Sequence, residues 1–185
     1  MIGNYTLSRK KTGLMVIDVQ ERLFNFIERP CEILEVMHKV VTGFQILNLP
    51  ILVTEQYPQG LGSTILALKN CLRDQDKILT KTTFSCLGDE TLRKQILDMP
   101  IEQWVLVGIE AHVCVLQTAK DLLANGKQVA VLNDAISSRS IYDFSTAIAE
   151  MRDIGVRVTS AETVLFELVH DSKAAEFKEI SNLVK

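Results

Sequence analysis

The sequence predicts an α/β fold, a parallel sheet with helices on both faces. Three observations predict it. Short uninterrupted apolar runs, such as Gly13 to Val19 and Trp104 to Ile109, have the character of strands covered on both sides. They alternate with stretches of helical period. The joints between them are short and carry Gly, Pro, Asn or Asp.

Each element has its own signal. Residues 1 to 12 are polar and read as a loose arm. Gly13 to Val19 is the first strand, with an acid, Asp18, near its end. From Glu32 to Leu47, Ile33, Met37, Val40, Val41 and Phe44 recur at helical spacing, and Asn48-Leu49-Pro50 stops the helix. Ile51 to Thr54 is the second strand. Glu55 to Ser63 reads as a loop because of Pro58, Gly60 and Gly62. A short helical turn over Leu66 to Cys71 precedes the third strand, Asp76 to Lys81. Asp89 and Glu90 suit the start of a helix over Gly88 to Asp98, which Met99-Pro100 closes. Trp104 to Ile109 is the fourth strand. The helix carrying Cys114 runs to Asn125-Gly126, a helix-stop pair. Gln128 to Asn133 is the fifth strand. Ser140 to Asp143 resembles a capping box and opens a helix with Phe144, Ile148 and Met151 on one face. Val156 to Thr159 is the sixth strand. Ser160 caps a helix from Ala161 to Val169, and a last helix runs from Asp171-Ser172 to about Leu183. No repeat or linker interrupts the 185 residues, which read as one domain.

Composition excludes some partners. Net charge is −3, which gives neither nucleic acid nor an anionic membrane a basic surface to bind. No apolar run approaches a membrane span. The four cysteines show no C-x-x-C pair and the three histidines are scattered, so reduced thiols, no metal and no cofactor are expected. The first seventeen residues hold Arg9, Lys10 and Lys11 and no acid, too short a stretch for a transit peptide. A cytoplasmic location is expected, with a mitochondrial one as the alternative.

Chemistry gathers at three strand ends. In open α/β sheets ligands bind beyond the C-terminal ends of the strands. Asp18 follows the first strand, Lys81 the third, and Cys114 lies one turn beyond the fourth. An acid, a lysine and a cysteine on one edge supply a nucleophile with a base and a cation beside it. A helix N-terminus favours the thiolate, so the Cys114 thiol is expected to titrate below the roughly 8.5 of a free thiol and to be the most reactive of the four. Unpaired N–H groups in the same turn can receive a developing oxyanion.

Ile17-Asp18-Val19-Gln20, Lys81 followed by Phe84, the turn Gly108-Ile-Glu-Ala-His-Val-Cys114, and Asn133-Asp134-Ala135 with Ser138-Arg139 together resemble the isochorismatase-like hydrolase superfamily. The resemblance runs from about Leu14 to about Val164. It is strongest to the eukaryotic isochorismatase-domain branch, some of whose relatives carry mitochondrial-associated ribonuclease labels. It implies a three-layer αβα sandwich, Rossmann-like, with a six-stranded parallel sheet. It implies Cys114 as nucleophile, Asp18 as general base and Lys81 as the residue that steadies Asp18. It also implies a cis peptide between Ile109 and Glu110 that aims the N–H of Glu110, with that of Cys114, at the oxyanion, and it implies homo-oligomers: dimers, tetramers or larger. Two departures bear on substrate. Glu55-Gln56-Tyr57-Pro58 stands where nicotinamidases carry an Asp-x-His metal motif, and the cysteine points away from isochorismate toward a C–N or related acyl bond.

Five further residues are candidates for a substrate pocket. Phe24 and Phe84 would wall it or pack in the core, Gln20 would bond substrate or a loop backbone, and Tyr57 lies in the specificity loop. His112 offers a Cys–His pair, although residues two apart on a turning backbone diverge. Cys86 reads as buried, and Asp134 and Arg139 as loop anchors. An oligomer face is expected near Tyr142 and Leu165. The sequence thus predicts a cofactor-free cysteine hydrolase of a small amide or acyl substrate. The alternatives are a non-catalytic interaction or assembly module, a ribonuclease-labelled relative, and a thiol redox role that lacks a resolving cysteine.

Overall fold

A computed structural model describes residues 5–185. Six strands form one all-parallel sheet in the order β3-β2-β1-β4-β5-β6. They are β1 (Thr12–Ile17), β2 (Ile51–Gln56), β3 (Lys77–Lys81), β4 (Gln103–Ile109), β5 (Gln128–Ser137) and β6 (Arg157–Thr159). Strand order reverses between β1 and β4, and a crevice opens beyond the strand ends at such a point.

Side chains alternate along each strand and feed two cores. Leu14, Val16, Val105 and Val107 face one side, with α2 (Pro30–Ile46), α8 (Ala161–Val169) and α9 (Phe177–Leu183) packed over them. Met15, Ile17, Trp104 and Leu106 face the other, under α5 (Glu90–Leu97), α6 (Leu116–Ala124) and α7 (Ile141–Asp153). Burial on both faces explains the uninterrupted apolar runs. Short helices α1 (Glu21–Phe24), α3 (Pro58–Leu61) and α4 (Leu66–Lys69) lie in the connections after β1 and β2. Among the described residues no helix is long and apolar enough to cross a membrane.

Several local expectations are corrected. Residues 5–11 are not a loose arm: Leu7 is buried, its N–H donates to Glu167 at 2.6 Å, and Arg9 donates to the Leu168 carbonyl at 2.6 Å. Residues 1–4 of that expectation lie outside the described residues. The loop expected from Glu55 begins two residues late, because Glu55 and Gln56 pair with Thr80 and Lys81 of β3. β5 extends to Ser137 through a register shift that lets Ile136 and Ser137 meet Gly108 and Ile109. Ser140 caps α7 by accepting from the Tyr142 N–H, without a reciprocal bond from Asp143. At α8 the cap is not Ser160 but Asp134, whose two carboxylate oxygens accept from the Ala161 N–H at 3.0 and 3.1 Å. The last helix starts at Phe177, six residues after Asp171. Leu165 belongs to the core under Gly43, so it cannot form an exposed face with Tyr142.

Gly108 fixes the spacing of the two central strands. A Cβ there would lie 2.3 Å from the Ile17 carbonyl oxygen, and its φ of +146° is strained for any side chain. We expect Gly108→Ala to destabilise the fold by at least about 3 kcal/mol, beyond the usual range for a surface change, as read by urea denaturation. A wild-type midpoint in that variant would mean β1 and β4 are not held at this distance.

Candidate active site

The strands deliver the chemical residues to one edge, and the backbone turns sharply to present them. Six non-glycine residues among those described have positive φ. Three of them directly follow strands: Asp18 (φ 55°) after β1, Tyr57 (φ 37°) after β2 and Glu110 (φ 57°) after β4. Such strain persists where the surroundings enforce it, and it concentrates at functional sites. The turn after β4 corrects one expectation. Among the described residues there is no cis peptide, so the bond before Glu110 is trans, and left-handed Glu110 makes the turn instead. A π-helical turn, Ala111–Val115, follows and carries Cys114 into α6.

Asp18 and Lys81 meet as a buried ion pair, Nζ to Oδ2 2.5 Å, with neither side chain exposed. The other Asp18 oxygen accepts from the Thr54 hydroxyl at 2.8 Å. The Lys81 ammonium also donates to Gln56 Oε1 at 2.8 Å and to the carbonyls of Phe84 and Thr83 at 3.0 and 3.2 Å. Burial on its own would lower the Lys81 pKa, but the Asp18 charge reverses this and leaves it raised. Gln56 is in turn held by its amide donating to the Thr82 carbonyl at 2.7 Å.

Cys114 lies against this pair and is 5% exposed. Its thiol corrects the expectation of a lowered pKa. Burial and then the Asp18 charge and hydrogen bonding push it up, against the lowering effect of Lys81. The resting thiol is therefore protonated, and exposed Cys31 is more accessible to solvent. The segment after β3 ties Lys81 to the helix of Cys114. Ser85 donates to Asp121 at 2.6 Å, and the Cys86 N–H donates to the Thr118 hydroxyl at 3.0 Å.

The pocket candidates separate. Gln20 is a clamp: its amide donates to the Gln56 and Gly62 carbonyls at 3.0 and 2.6 Å and its oxygen accepts from the Gln56 N–H at 2.7 Å. Every group with which it would bond substrate has a backbone partner. Phe24 is half-buried against the core that packs on one face of the sheet. Phe84 serves Lys81 through its carbonyl while its side chain is largely exposed. Tyr57 borders a cleft of about 360 Å³ with Lys81, Thr82 and Asp89, whose walls include neither Asp18 nor Cys114. His112 is turned to Ser138, Nδ1 to Oγ 3.0 Å, and its Nε2 faces Glu110 and Asp143 at 3.8 and 3.9 Å. Arg139 anchors Glu110, donating to both carboxylate oxygens at 3.1 and 3.3 Å. Thr54 and Gln56 were not singled out from the sequence. Their only signal is that they are polar residues closing an apolar strand.

A sheet in the Rossmann order with a lysine, an acid and a thiol packed together beyond the C-terminal ends of its strands defines a doubly wound α/β domain with a candidate site at the strand ends. The chain belongs to the isochorismatase domain family, whose model matches residues 12–163. It is 39% identical over 175 residues to the secreted isochorismatase effector Isc1 of Phytophthora sojae, covering 93% of this chain and 83% of that one. It is 37% identical over 185 residues to isochorismatase domain-containing protein 1 of Danio rerio, covering all of this chain. The chain spans 64% of the length of that relative. The solved structure of MAR1 ribonuclease from Caenorhabditis elegans superposes with a TM-score of 0.91 at 37% identity, over 97% of this chain and 92% of that one.

The buried groups make stability depend on alkaline pH. Burial, then the Asp18 charge, pushes the Cys86 thiol up to about 11. Above about pH 8.5 the unfolded thiol releases its proton while the folded one keeps it, so stability falls as pH rises. Lys81, with a raised pKa, acts in the same direction: its contribution is complete below the unfolded lysine value and is lost above it. The melting temperature should fall between about pH 8 and pH 10.5, and Cys86→Ala should flatten the fall by an amount on the order of 2 kcal/mol. A melting temperature that is level or rising over that range would contradict the burial of these groups.

Proposed function

We propose that the chain is a cofactor-free hydrolase that cleaves a small amide or related acyl C–N bond through a thioester on Cys114. The observation that carries this reading is the fully buried Lys81–Asp18 pair set against the Cys114 thiol. An ion pair stripped of water costs several kcal/mol in desolvation, and a docking surface gains nothing from it. A carboxylate held beside a thiol can take its proton.

The chemistry starts from the neutral thiol. As sulfur attacks the acyl carbon, the S–H proton passes to Asp18, so no free thiolate accumulates. We place the carbonyl oxygen, as it becomes negative, at the turn after β4, where left-handed Glu110, with no cis bond before it, and Cys114 offer their N–H groups. The C–N bond breaks, the amine departs with the proton from Asp18, and the acyl group remains on sulfur. Water then gives a proton to Asp18 and attacks the thioester. The C–S bond breaks, the acid leaves, and sulfur recovers the proton. Lys81 keeps Asp18 paired throughout. The ribonuclease name of the C. elegans relative has no counterpart in the charge of this chain, which is −3 and offers little to a phosphate backbone. Self-association is part of the proposal. Ile141 and Tyr142 at the start of α7 are exposed, Tyr142 by 81%, and supply an apolar face in place of the one expected with Leu165.

Incubation with a panel of small amides should leave an acyl adduct on Cys114, read by intact and peptide mass. Cys114→Ala should abolish the adduct. Asp18→Asn leaves Lys81 without its charge partner and should destabilise the fold; assayed well below its denaturation midpoint, it should lower turnover by at least about a hundredfold, the low end for loss of a general base. An adduct on Cys31, Cys71 or Cys86, or full turnover without Cys114, would overturn the assignment.

A further inference from the structure

We infer that Thr54 is a positioning residue for this reaction: its hydroxyl, oriented by the Cys86 thiol, holds the Asp18 carboxylate in line with Cys114. The inference rests on the reading of Asp18 as the base. Thr54 is the fourth residue of β2, buried, and its Oγ1 lies 2.8 Å from Asp18 Oδ1. The Thr54 carbonyl also accepts the Asp18 N–H at 3.1 Å, so one residue grips both the backbone and the side chain of Asp18. Lys81 holds the second carboxylate oxygen.

The direction of these bonds follows from what each group can do. A carboxylate only accepts, so the single Thr54 hydroxyl proton points at Asp18. That leaves the Thr54 lone pairs facing Cys86, whose Sγ lies 3.7 Å away and donates to them. Cys86 is fully buried, and a protonated thiol there is a donor. The chain of donors runs Cys86 to Thr54 to Asp18. It fixes the rotation of the carboxylate while Lys81 fixes its reach, and together they leave the remaining acceptor surface to the Cys114 S–H. The titratable groups that face Asp18 are Lys81 from β3, Cys114 from the π-helical turn and Cys86 from the segment after β3. Any pH profile of Cys114 therefore belongs to this cluster as a unit.

Iodoacetamide alkylation of Cys114, followed by peptide mass between pH 5 and about pH 9, tests the inference without a known substrate, over the span in which thiols and their partners titrate. Thr54→Val keeps the shape of the side chain and removes the donor. The rate at neutral pH should fall about tenfold and the rise of the profile should move up by about one pH unit, the size of one hydrogen bond to a charged group. Thr54→Ser should restore both. Thr54→Ala removes the same hydroxyl with less crowding against Cys86, should give the same shift, and serves if the valine variant does not fold. Cys86→Ala keeps the hydroxyl but removes the thiol that orients it, and should lower the rate by about threefold, the scale of a weak thiol bond; a tenfold loss, equal to that of Thr54→Val, would assign the positioning to Cys86 and overturn the inference. A wild-type rate and profile in either variant lacking the hydroxyl, or a serine variant that fails to recover, would overturn the inference. Asp18→Asn separates the two readings. If it slows alkylation while Thr54→Val does not, only the role of Thr54 fails. If it alkylates at the wild-type rate or faster, the base itself is wrong, because the Asp18 charge then only holds the thiol protonated.

Discussion

The ion pair between Lys81 and Asp18 is the constraint on which the rest of the site depends. Both side chains are removed from water, so each must find its partners within the protein. Asp18 has Lys81 and Thr54; Lys81 has Asp18, Gln56 and two carbonyls. Those partners come from β1, β2, β3 and the segment after β3, so the pair can form only when the three strands are in register. The surrounding features serve the same end. Gly108 lets β4 approach β1 closely enough to place the next turn beside Asp18. Ser85 and Cys86 bind the Lys81 segment to the helix that follows Cys114. Gln20 ties the chain after Asp18 to the end of β2.

In the proposed reaction this arrangement shares the work of a nucleophile among several groups. A reactive cysteine is often made by lowering its pKa. Here burial and a neighbouring carboxylate do the reverse. In the proposed reaction the thiol starts neutral and its reactivity comes from Asp18 as a base already in place. A buried neutral thiol is also shielded from oxidation, which begins at exposed thiolates. The strained backbone at Asp18 and Glu110 belongs to the same arrangement, because both residues leave the strand direction within one residue of the strand end.

Much of the fold was legible because it rests on period and punctuation. The apolar runs of β1 and β4, the amphipathic spacing of α2 and the stop at Asn48-Leu49-Pro50 all carry their meaning locally. Asp18, Lys81 and Cys114 stood out because each is a chemically able residue at the end of such a run. What was not legible depends on partners distant in sequence. Gln20 reads equally well as a substrate contact until Gln56 and Gly62 are seen to occupy it. The arm before β1 looked loose because Glu167, 160 residues from Leu7, is what holds it. Asp134 caps a helix 27 residues ahead of it, a contact no local pattern announces. The thiol was misjudged for the same reason: a helix field can be read from sequence, whereas burial and the exact approach of a carboxylate cannot.

The central claim is that the Lys81–Asp18 pair is built for the thiol and not for the fold alone. Removing one partner leaves a buried charge, so Lys81→Met should cost about 3–5 kcal/mol, whereas Lys81→Met with Asp18→Asn replaces both charges and should regain most of that loss. The decisive measurement is the rate of acylation of Cys114 by a reactive amide or ester in the double variant, alongside its denaturation midpoint. The account predicts stability largely recovered and acylation at neutral pH still reduced by at least about a hundredfold. A double variant that is stable and acylates Cys114 at the wild-type rate would contradict it.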